Sequence, residues 1–161
     1  MASVEARLDQ LEARVARLED ERDLYRLIAA YGPAVDTGSS QAAARLFVAD
    51  GVYDVGGMSR SAGHAQIAAL FDGEPHQSII KNGSAHVMGL PHLTIDGDSA
   101  LAVTYSRLYV HRAHGFGLYR ISANRWTFRR TPEGWRIVER VNRALDGSAD
   151  ARELLAAAVE K

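Results

Sequence analysis

The stretch AHVMGLPHLTIDGDSALAVTYSRLYVHR, residues 85–112, contains two runs in which apolar and polar residues alternate, over 85–95 and 100–112. Alternation with a period of two is typical of β-strands, and the Asp-Gly pair between the runs is typical of a hairpin turn. Two further alternating runs follow, over 118–130 and 134–145, with a Thr-Pro-Glu-Gly turn at their junction. The second half of the chain is therefore predicted to form an antiparallel meander.

The first half of the chain has mainly helical patterns. The sequence predicts helices over 41–48 and 64–71, a short strand over 52–55, a polar loop over 72–83 and a C-terminal helix over 150–161. Gly32 and Pro33 are predicted to interrupt the N-terminal helix, because proline lacks an amide donor and disfavours helical geometry in the preceding residue. Helices followed by such a sheet predict an α+β fold, in which the N-terminal helices cover one face of a curled antiparallel sheet.

The N-terminal segment carries an apolar seam with four-three spacing, formed by Val4, Leu8, Leu11, Val15 and Leu18. Such spacing is typical of a coiled coil, and it predicts a helical arm over residues 1–21 within a single domain that spans 1–161. Because the seam lasts only about two heptads, we expect it to pack either on a partner subunit or on the protein's own sheet. A homodimer or a homotrimer is the expected assembly.

Composition limits the class of partner. The 161 residues include 47% hydrophobic and 24% charged side chains, and the formal net charge of −1 gives no basic surface for nucleic acid. No window approaches the roughly 18 apolar residues that span a bilayer, so no membrane partner is expected. The chain has no cysteine, which fits a reducing cytoplasm. We expect a cytoplasmic protein whose partner is a small molecule.

Asp36 is the one acid in the stretch AAYGPAVDTGSSQAAARLF, residues 29–47. It either caps the helix that follows or lies on the floor of a pocket, and the residues alone leave both interpretations open. The sequence has no Gly-x-Ser-x-Gly elbow, no His-Glu-x-x-His metal motif and no complete dinucleotide fingerprint. Acid–base chemistry by carboxylate, histidine and tyrosine side chains is what remains, and neither a metal nor a cofactor is expected.

One face of the strand over 100–112 carries mostly polar and aromatic side chains, namely Val103, Tyr105, Arg107, Tyr109 and His111. Alternation along a strand places these residues together. The face is either an outer surface or the lining of a cavity with a few fixed polar groups. A single strand does not decide between the two.

The order of these elements resembles the SnoaL-like branch of the nuclear transport factor 2 (NTF2) superfamily. The matching motifs are Gly63-His-Ala-Gln-Ile67, the strand pair AHVMGLPHLTIDGDSALAV, and GWRIVERV in the last strand. The resemblance covers roughly residues 22–147 and implies a conical α+β barrel with a deep pocket between the curled sheet and its helices. Within the superfamily, the pattern is most similar to the scytalone dehydratases and the bile-acid 7α-dehydratases.

The resemblance also implies a set of site residues. Those matched to catalytic positions are Asp36, His86, Tyr53, His111 and Tyr31. Those assigned to substrate binding are Asn124, Arg143, Tyr105 and Tyr109, the last two if their face of the strand lines the pocket. In both dehydratase groups the aspartate and the histidine form a pair, so Asp36 is expected to contact His86.

The implied function is a cofactor-independent lyase that dehydrates a hydroxylated cyclic carbonyl compound, polyketide-like or steroid-like. His86, oriented by Asp36, would remove the proton α to the carbonyl; Tyr53 would stabilise the enolate, and His111 or Tyr31 would protonate the departing hydroxyl. The alternatives are an isomerase or cyclase with the same pair, and a non-catalytic module that binds a small ligand. In each case we expect a small, hydrophobic, ring-containing ligand.

Overall fold

The helices and strands follow the predicted division of the chain into a helical first half and a strand-rich second half. A computed structural model describes residues 3–56 and 59–159. The helices are α1 (Val4–Asp36), α2 (Ser40–Ala44), α3 (Gly63–Asp72), α4 (Glu74–Lys81) and α5 (Ala149–Ala156). The strands are β1 (Phe47–Val55), β2 (Ser59–Ala62), β3 (Ser84–Met88), β4 (His92–Asp96), β5 (Ser99–Arg112), β6 (Gly115–Thr131) and β7 (Gly134–Ala144).

The strands form a curled sheet in the order β2-β1-β7-β6-β5-β3, and β4 pairs with β5 beside β3. Neighbouring strands are antiparallel except β1 and β7, which are parallel and far apart along the chain, as parallel pairing requires. The sheet does not close on itself; α1, α3 and α4 cover one of its faces, and the short helix α5 packs on the other against Ala123 and Val141. This arrangement confirms the predicted α+β class.

Helix α1 continues through Gly32 and Pro33, so the predicted interruption is wrong. Pro33 lies in the last turn, where it removes only one helical hydrogen bond, and its carbonyl accepts from the Thr37 amide at 3.1 Å and the Thr37 hydroxyl at 2.8 Å. Gly32 lies against β3, where a Cβ atom would stand 2.3 Å from the carbonyl oxygen of His86. Packing on the sheet has therefore overridden the local preference of this dipeptide to break a helix.

The core lies between α1 and the covered face of the sheet. Leu24, Ile28, Tyr31 and Val35 recur with helical spacing on the buried side of α1, and they join Trp126 of β6 in one hydrophobic cluster. Burial of this stripe fixes the rotation of α1 about its axis. It therefore determines that Tyr31 and the end of the helix meet the sheet.

Several strand and helix boundaries differ from prediction, and the strand β2 and the end of α5 at Ala156 were not predicted. The predicted strand over 85–95 is divided into β3 and β4, which pair with different halves of β5. The helix predicted over 41–48 ends at Ala44, and β1 begins at Phe47. The segment predicted as a polar loop contains α4, with Glu74 in its first turn, Pro75 at its start and Lys81 in its last turn, all favourable at those positions.

The N-terminal part of α1 leaves the predicted seam uncovered. The seam's five apolar residues, Val4, Leu8, Leu11, Val15 and Leu18, are between 54% and 83% exposed, so they do not pack on the protein's own sheet. The helix joins the sheet at Asp20, which accepts hydrogen bonds from Arg130 Nη1 at 2.6 Å and Trp135 Nε1 at 3.0 Å. Residues 1 and 2 of the predicted arm and 160 and 161 of the predicted C-terminal helix lie outside the described residues.

No helix within the described part of the chain is long and apolar enough to cross a membrane.

Candidate active site

Asp36 and His86 are brought together where the end of α1 meets β3. Asp36 Oδ1 lies 2.6 Å from His86 Nδ1, and Asp36 Oδ2 accepts the backbone amide of His86 at 2.7 Å. The hydroxyl of Ser84 donates to Oδ1 at 2.7 Å. The carboxylate therefore binds the side chain and the main chain of β3, and it does not cap α2.

The hydrogen bonds determine the charge state of this pair. Burial by itself raises the pKa of the Asp36 carboxyl, but the hydrogen bonds from the His86 ring, the Ser84 hydroxyl and the His86 amide outweigh it and hold the pKa below its usual value. An ionised carboxylate can only accept, so His86 Nδ1 carries a proton and Nε2 is left as the basic nitrogen.

The depressed pKa of Asp36 predicts a loss of stability in acid. The folded protein binds a proton at Asp36 more weakly than the unfolded chain, so this stabilisation is present above about pH 4 and disappears as the pH falls through the lower folded-state pKa. We expect the difference in free energy of unfolding between the wild type and Asp36→Asn to shrink over that window, as measured by urea unfolding at a series of pH values. A difference that stays constant from pH 6 to pH 2.5 would contradict this prediction.

His86 lines a cavity of about 440 Å³ between the helices and the sheet. Its walls are mostly apolar, with side chains from α3 and α4 facing those of β1, β5 and β6. The polar residues that line it, besides His86, are Tyr31, Tyr53, Ser59, His76, Tyr119 and Arg120. A mostly apolar cavity with few polar groups is typical of a site for a small organic ligand.

Tyr31 and Tyr53 form a buried hydroxyl pair in the cavity wall. The Tyr31 hydroxyl donates to the Tyr53 oxygen at 3.2 Å, and the two rings meet edge to face with centroids 6.2 Å apart. Burial raises the pKa of the Tyr31 hydroxyl well above its usual value, although the nearby Arg140 guanidinium opposes the shift. Because Tyr31 donates its proton to Tyr53, the Tyr53 proton is the one left for a ligand oxygen.

Arg140 lies behind the two tyrosines and is 2% exposed. Its guanidinium carbon is 3.9 Å from the ring centre of Tyr31 and 4.8 Å from that of Tyr53, a cation–π geometry. Among the described residues, Arg140 forms no ion pair with a carboxylate. Its positive charge is therefore directed at the aromatic wall of the cavity.

Asn124, predicted to bind substrate, is fully buried behind the cavity and holds Arg140 in place. Its Oδ1 accepts from Arg140 Nη2 at 2.8 Å, Arg140 Nε at 3.1 Å and Asn142 Nδ2 at 3.0 Å. Its Nδ2 donates to the Ser106 hydroxyl at 2.8 Å. The structure thus gives Asn124 a positioning role for Arg140 and does not place it at the cavity surface.

Four other predicted site residues lie away from the cavity. Tyr105 and His111 are exposed, and the His111 ring packs on Phe116 with centroids 4.9 Å apart. Tyr109 shares their face of β5. The residues of opposite parity, such as Leu108, face the cavity. Arg143 binds Asp54 with two hydrogen bonds, of 2.7 and 2.9 Å. The structure therefore does not bring these four residues to the Asp36–His86 pair.

His76 is a further cavity residue, and the sequence does not reveal it because residues 72–83 have the composition of a polar loop. The ring Nε2 lies 2.9 Å from the Val35 carbonyl, and the ring centre is 5.6 Å from that of His86. A carbonyl only accepts, so Nε2 carries the proton and Nδ1 is the free acceptor. Burial lowers the pKa of His76, the hydrogen bond to Val35 opposes this shift, and the neighbouring His86 adds to it.

Among the described residues, no group of three or more His, Asp or Glu side chains is arranged to hold a metal ion.

Comparison with known proteins agrees with this fold. A family model described as the SnoaL-like domain matches residues 16–141. A solved NTF2-like protein with a cystatin-like fold, from Novosphingobium aromaticivorans, is 48% identical over 92% of this chain and 96% of its own, with a TM-score of 0.90. No curated protein matches the sequence.

More distant solved structures share the fold alone. Aln2 from a Streptomyces species is 17% identical over 87% of this chain and 96% of its own, with a TM-score of 0.71. A protein of unknown function from Mycobacterium tuberculosis is 19% identical over 84% of this chain and 89% of its own, with a TM-score of 0.69. The family match extends from α1 into β7 and includes Asp36 and His86. The protein belongs to the SnoaL-like domain family of the NTF2-like superfamily.

Proposed function

We propose that this protein is a cofactor-independent lyase that dehydrates a hydroxylated cyclic carbonyl compound, polyketide-like or steroid-like. The observation that carries the proposal is the Asp36–His86 pair, with 2.6 Å between Oδ1 and Nδ1, at the wall of a mostly apolar cavity. A carboxylate that holds one imidazole nitrogen makes the other a stronger base. The resemblance of Tyr31, Asp36, Tyr53 and His86 to the dehydratase pattern supports the same chemistry.

In the proposed reaction, His86 Nε2 removes the proton α to the ligand carbonyl and becomes an imidazolium paired with Asp36. The Tyr53 hydroxyl donates a hydrogen bond to the developing enolate oxygen, and the charge of Arg140 behind the tyrosines favours that negative oxygen. The electron pair then re-forms the carbonyl and expels the β-hydroxyl, which takes the proton from His86 and leaves as water. The products are an unsaturated carbonyl compound and one water molecule.

A second candidate is an isomerase or cyclase that uses the same pair without loss of water. The observation that favours it is His76, whose ring centre lies 5.6 Å from that of His86 and whose Nδ1 is a free acceptor. Two imidazoles at this separation can remove a proton at one carbon and return it at another.

Mass spectrometry separates these functions. The protein is incubated in D₂O with a panel of cyclic β-hydroxy ketones, and the products are compared with those of the His86→Gln variant. Dehydration gives a product lighter by one water, whereas isomerisation leaves the heavy-atom composition unchanged and introduces deuterium at carbon. A panel that binds to the protein but undergoes neither reaction would contradict an enzymatic function and favour a ligand-binding module.

We also propose that the apolar seam of α1 associates with the seam of a second copy of this chain. The five seam residues are exposed at coiled-coil spacing, and charged side chains flank them. Leu11→Glu is expected to convert the oligomer to monomer in size-exclusion chromatography with light scattering. Ala13→Glu, on the outer side of the same helix, is the matched control and should leave the assembly intact. A monomeric wild type, or two variants that behave alike, would contradict this proposal.

A further inference from the structure

A β-bulge next to the cavity brings an arginine to its rim. Leu108 of β5 pairs with Arg120 of β6, and Tyr109 pairs with Leu118, so Tyr119 is an extra residue on β6. A bulge reorients side chains locally, and here the consecutive residues Tyr119 and Arg120 both line the cavity. Without the bulge, alternation along β6 would place one of them on the opposite face of the sheet.

Arg120 has no partner among the described residues. No hydrogen bond, ion pair or ring contact joins it to another described side chain, although its side chain is half-buried. By contrast, the half-buried Arg143 has Asp54 and Asp150 as partners, at 2.7 and 3.3 Å. A guanidinium at a cavity rim without a carboxylate partner is available to bind an anionic group.

The other charged groups near the cavity also favour an anionic ligand. The described residues of its wall include no aspartate or glutamate. The acid behind the wall, Asp36, is already bound by His86 and Ser84, and Arg140 lies beneath the tyrosines without an acidic partner in the described chain. The positive charges of Arg120 and Arg140 therefore act on the cavity contents without a balancing acid in its wall.

We propose that the cavity selects ligands that carry a carboxylate on their ring system, and that Arg120 binds this carboxylate as a specificity-determining residue. The planar guanidinium matches a carboxylate with two parallel hydrogen bonds, while the apolar wall receives the ring. The inference rests on the proposed function in taking this cavity as the substrate site, and it names the substrate class. The carboxylate is held at the rim and is distinct from the carbonyl that reacts at His86.

Binding of two matched probes tests this proposal without any turnover. Isothermal titration calorimetry compares 2-naphthoate with 2-naphthamide, which has the same shape and no charge. The wild type should bind the naphthoate more tightly than the amide by about fivefold to tenfold, as expected for one charge-assisted contact at a partly exposed site. Arg120→Gln should remove most of this preference and leave the affinity for the amide unchanged, whereas Arg120→Lys should retain more of it.

Arg107→Gln is the matched control, because Arg107 is exposed on the opposite face of the adjacent strand β5. It should keep the full preference for naphthoate. Equal affinity of the wild type for the two probes, or an undiminished preference in Arg120→Gln, would overturn the proposal. The proposed reaction is tested separately by product analysis, so a protein that prefers the carboxylate but performs no dehydration would refute the lyase and leave this inference standing.

Discussion

Replacing Gly32 with alanine is expected to destabilise the protein by about 3 kcal/mol or more. The added Cβ atom would stand 2.3 Å from the carbonyl oxygen of His86, a distance that no packed pair of atoms tolerates. This oxygen belongs to the backbone of β3, which is hydrogen-bonded to β5, so it cannot rotate away as a side chain would. Relief of the clash requires α1 to move off the sheet, which breaks the core around Tyr31.

Gly117→Ala provides the matched control for this substitution. A Cβ atom at Gly117 meets nothing within 4 Å, and the residue does not have a positive φ. We expect its free energy of unfolding, measured in urea, to stay within about 0.5 kcal/mol of the wild type. If both variants unfold at the same urea concentration, the close approach of α1 to β3 is not what requires glycine at position 32.

Substitution of the Asp36–His86 pair is expected to have the largest effect on activity. His86→Gln removes the proposed base and should lower turnover by about 10²- to 10⁴-fold, the usual contribution of general base catalysis. Asp36→Asn should also abolish most turnover, because an amide no longer holds the imidazole with Nε2 as the base. Both variants should keep the circular dichroism spectrum of the wild type.

Two measurements serve as controls for this prediction. His92 is an exposed histidine on β4, so His92→Gln should retain full activity. This variant shows whether the loss of any histidine lowers turnover. The ¹⁵N shifts of the His86 ring should report a proton on Nδ1 in the wild type and a mixture of tautomers in Asp36→Asn. Full activity in Asp36→Asn or His86→Gln would refute the proposed catalytic pair.

The strands could be predicted because alternation is a local signal. The Asp36–His86 pair could be predicted because it is part of the family pattern. Alternation over 100–112 identified β5, and the superfamily pattern joined Asp36 to His86 across 50 positions. Alternation alone could not say which face of β5 points inward. The inner face carries Leu108, so Tyr105 and His111 lie outside.

The family resemblance indicates Arg143 of β7 and not Arg140, the arginine that lies behind the tyrosines. Arg140 pairs directly with Trp126 of β6, so its side chain shares the covered face with the largest apolar residue of that strand. Counted from the turn, where Thr131 pairs with Gly134, unbroken pairing would place Glu139 opposite Trp126 and would not select Arg140. Parity counted along β7 alone is unreliable, because the pairing of β6 with β7 shifts between Thr127 and Phe128.

The Gly32-Pro33 dipeptide is a case in which a sound local rule gives the wrong structure. The rule describes what the backbone loses at proline, but the buried stripe of α1 extends on both sides of the dipeptide, at Tyr31 and Val35. Burial of these two residues outweighs one missing hydrogen bond. Only contacts made far along the chain, with β3, explain why glycine precedes the proline.

The double attachment of Asp36 to β3 has a consequence for the order of events in folding. Asp36 and His86 are 50 residues apart, and closing so long a loop has an entropy cost that local contacts do not offset. We therefore expect the hydrogen bonds between them to form only when α1 docks on the sheet. Until then, His86 is an ordinary imidazole in an extended segment. We therefore expect the newly made chain to acquire the proposed base in the same step in which it acquires its native core, so that partly folded forms lack the proposed activity.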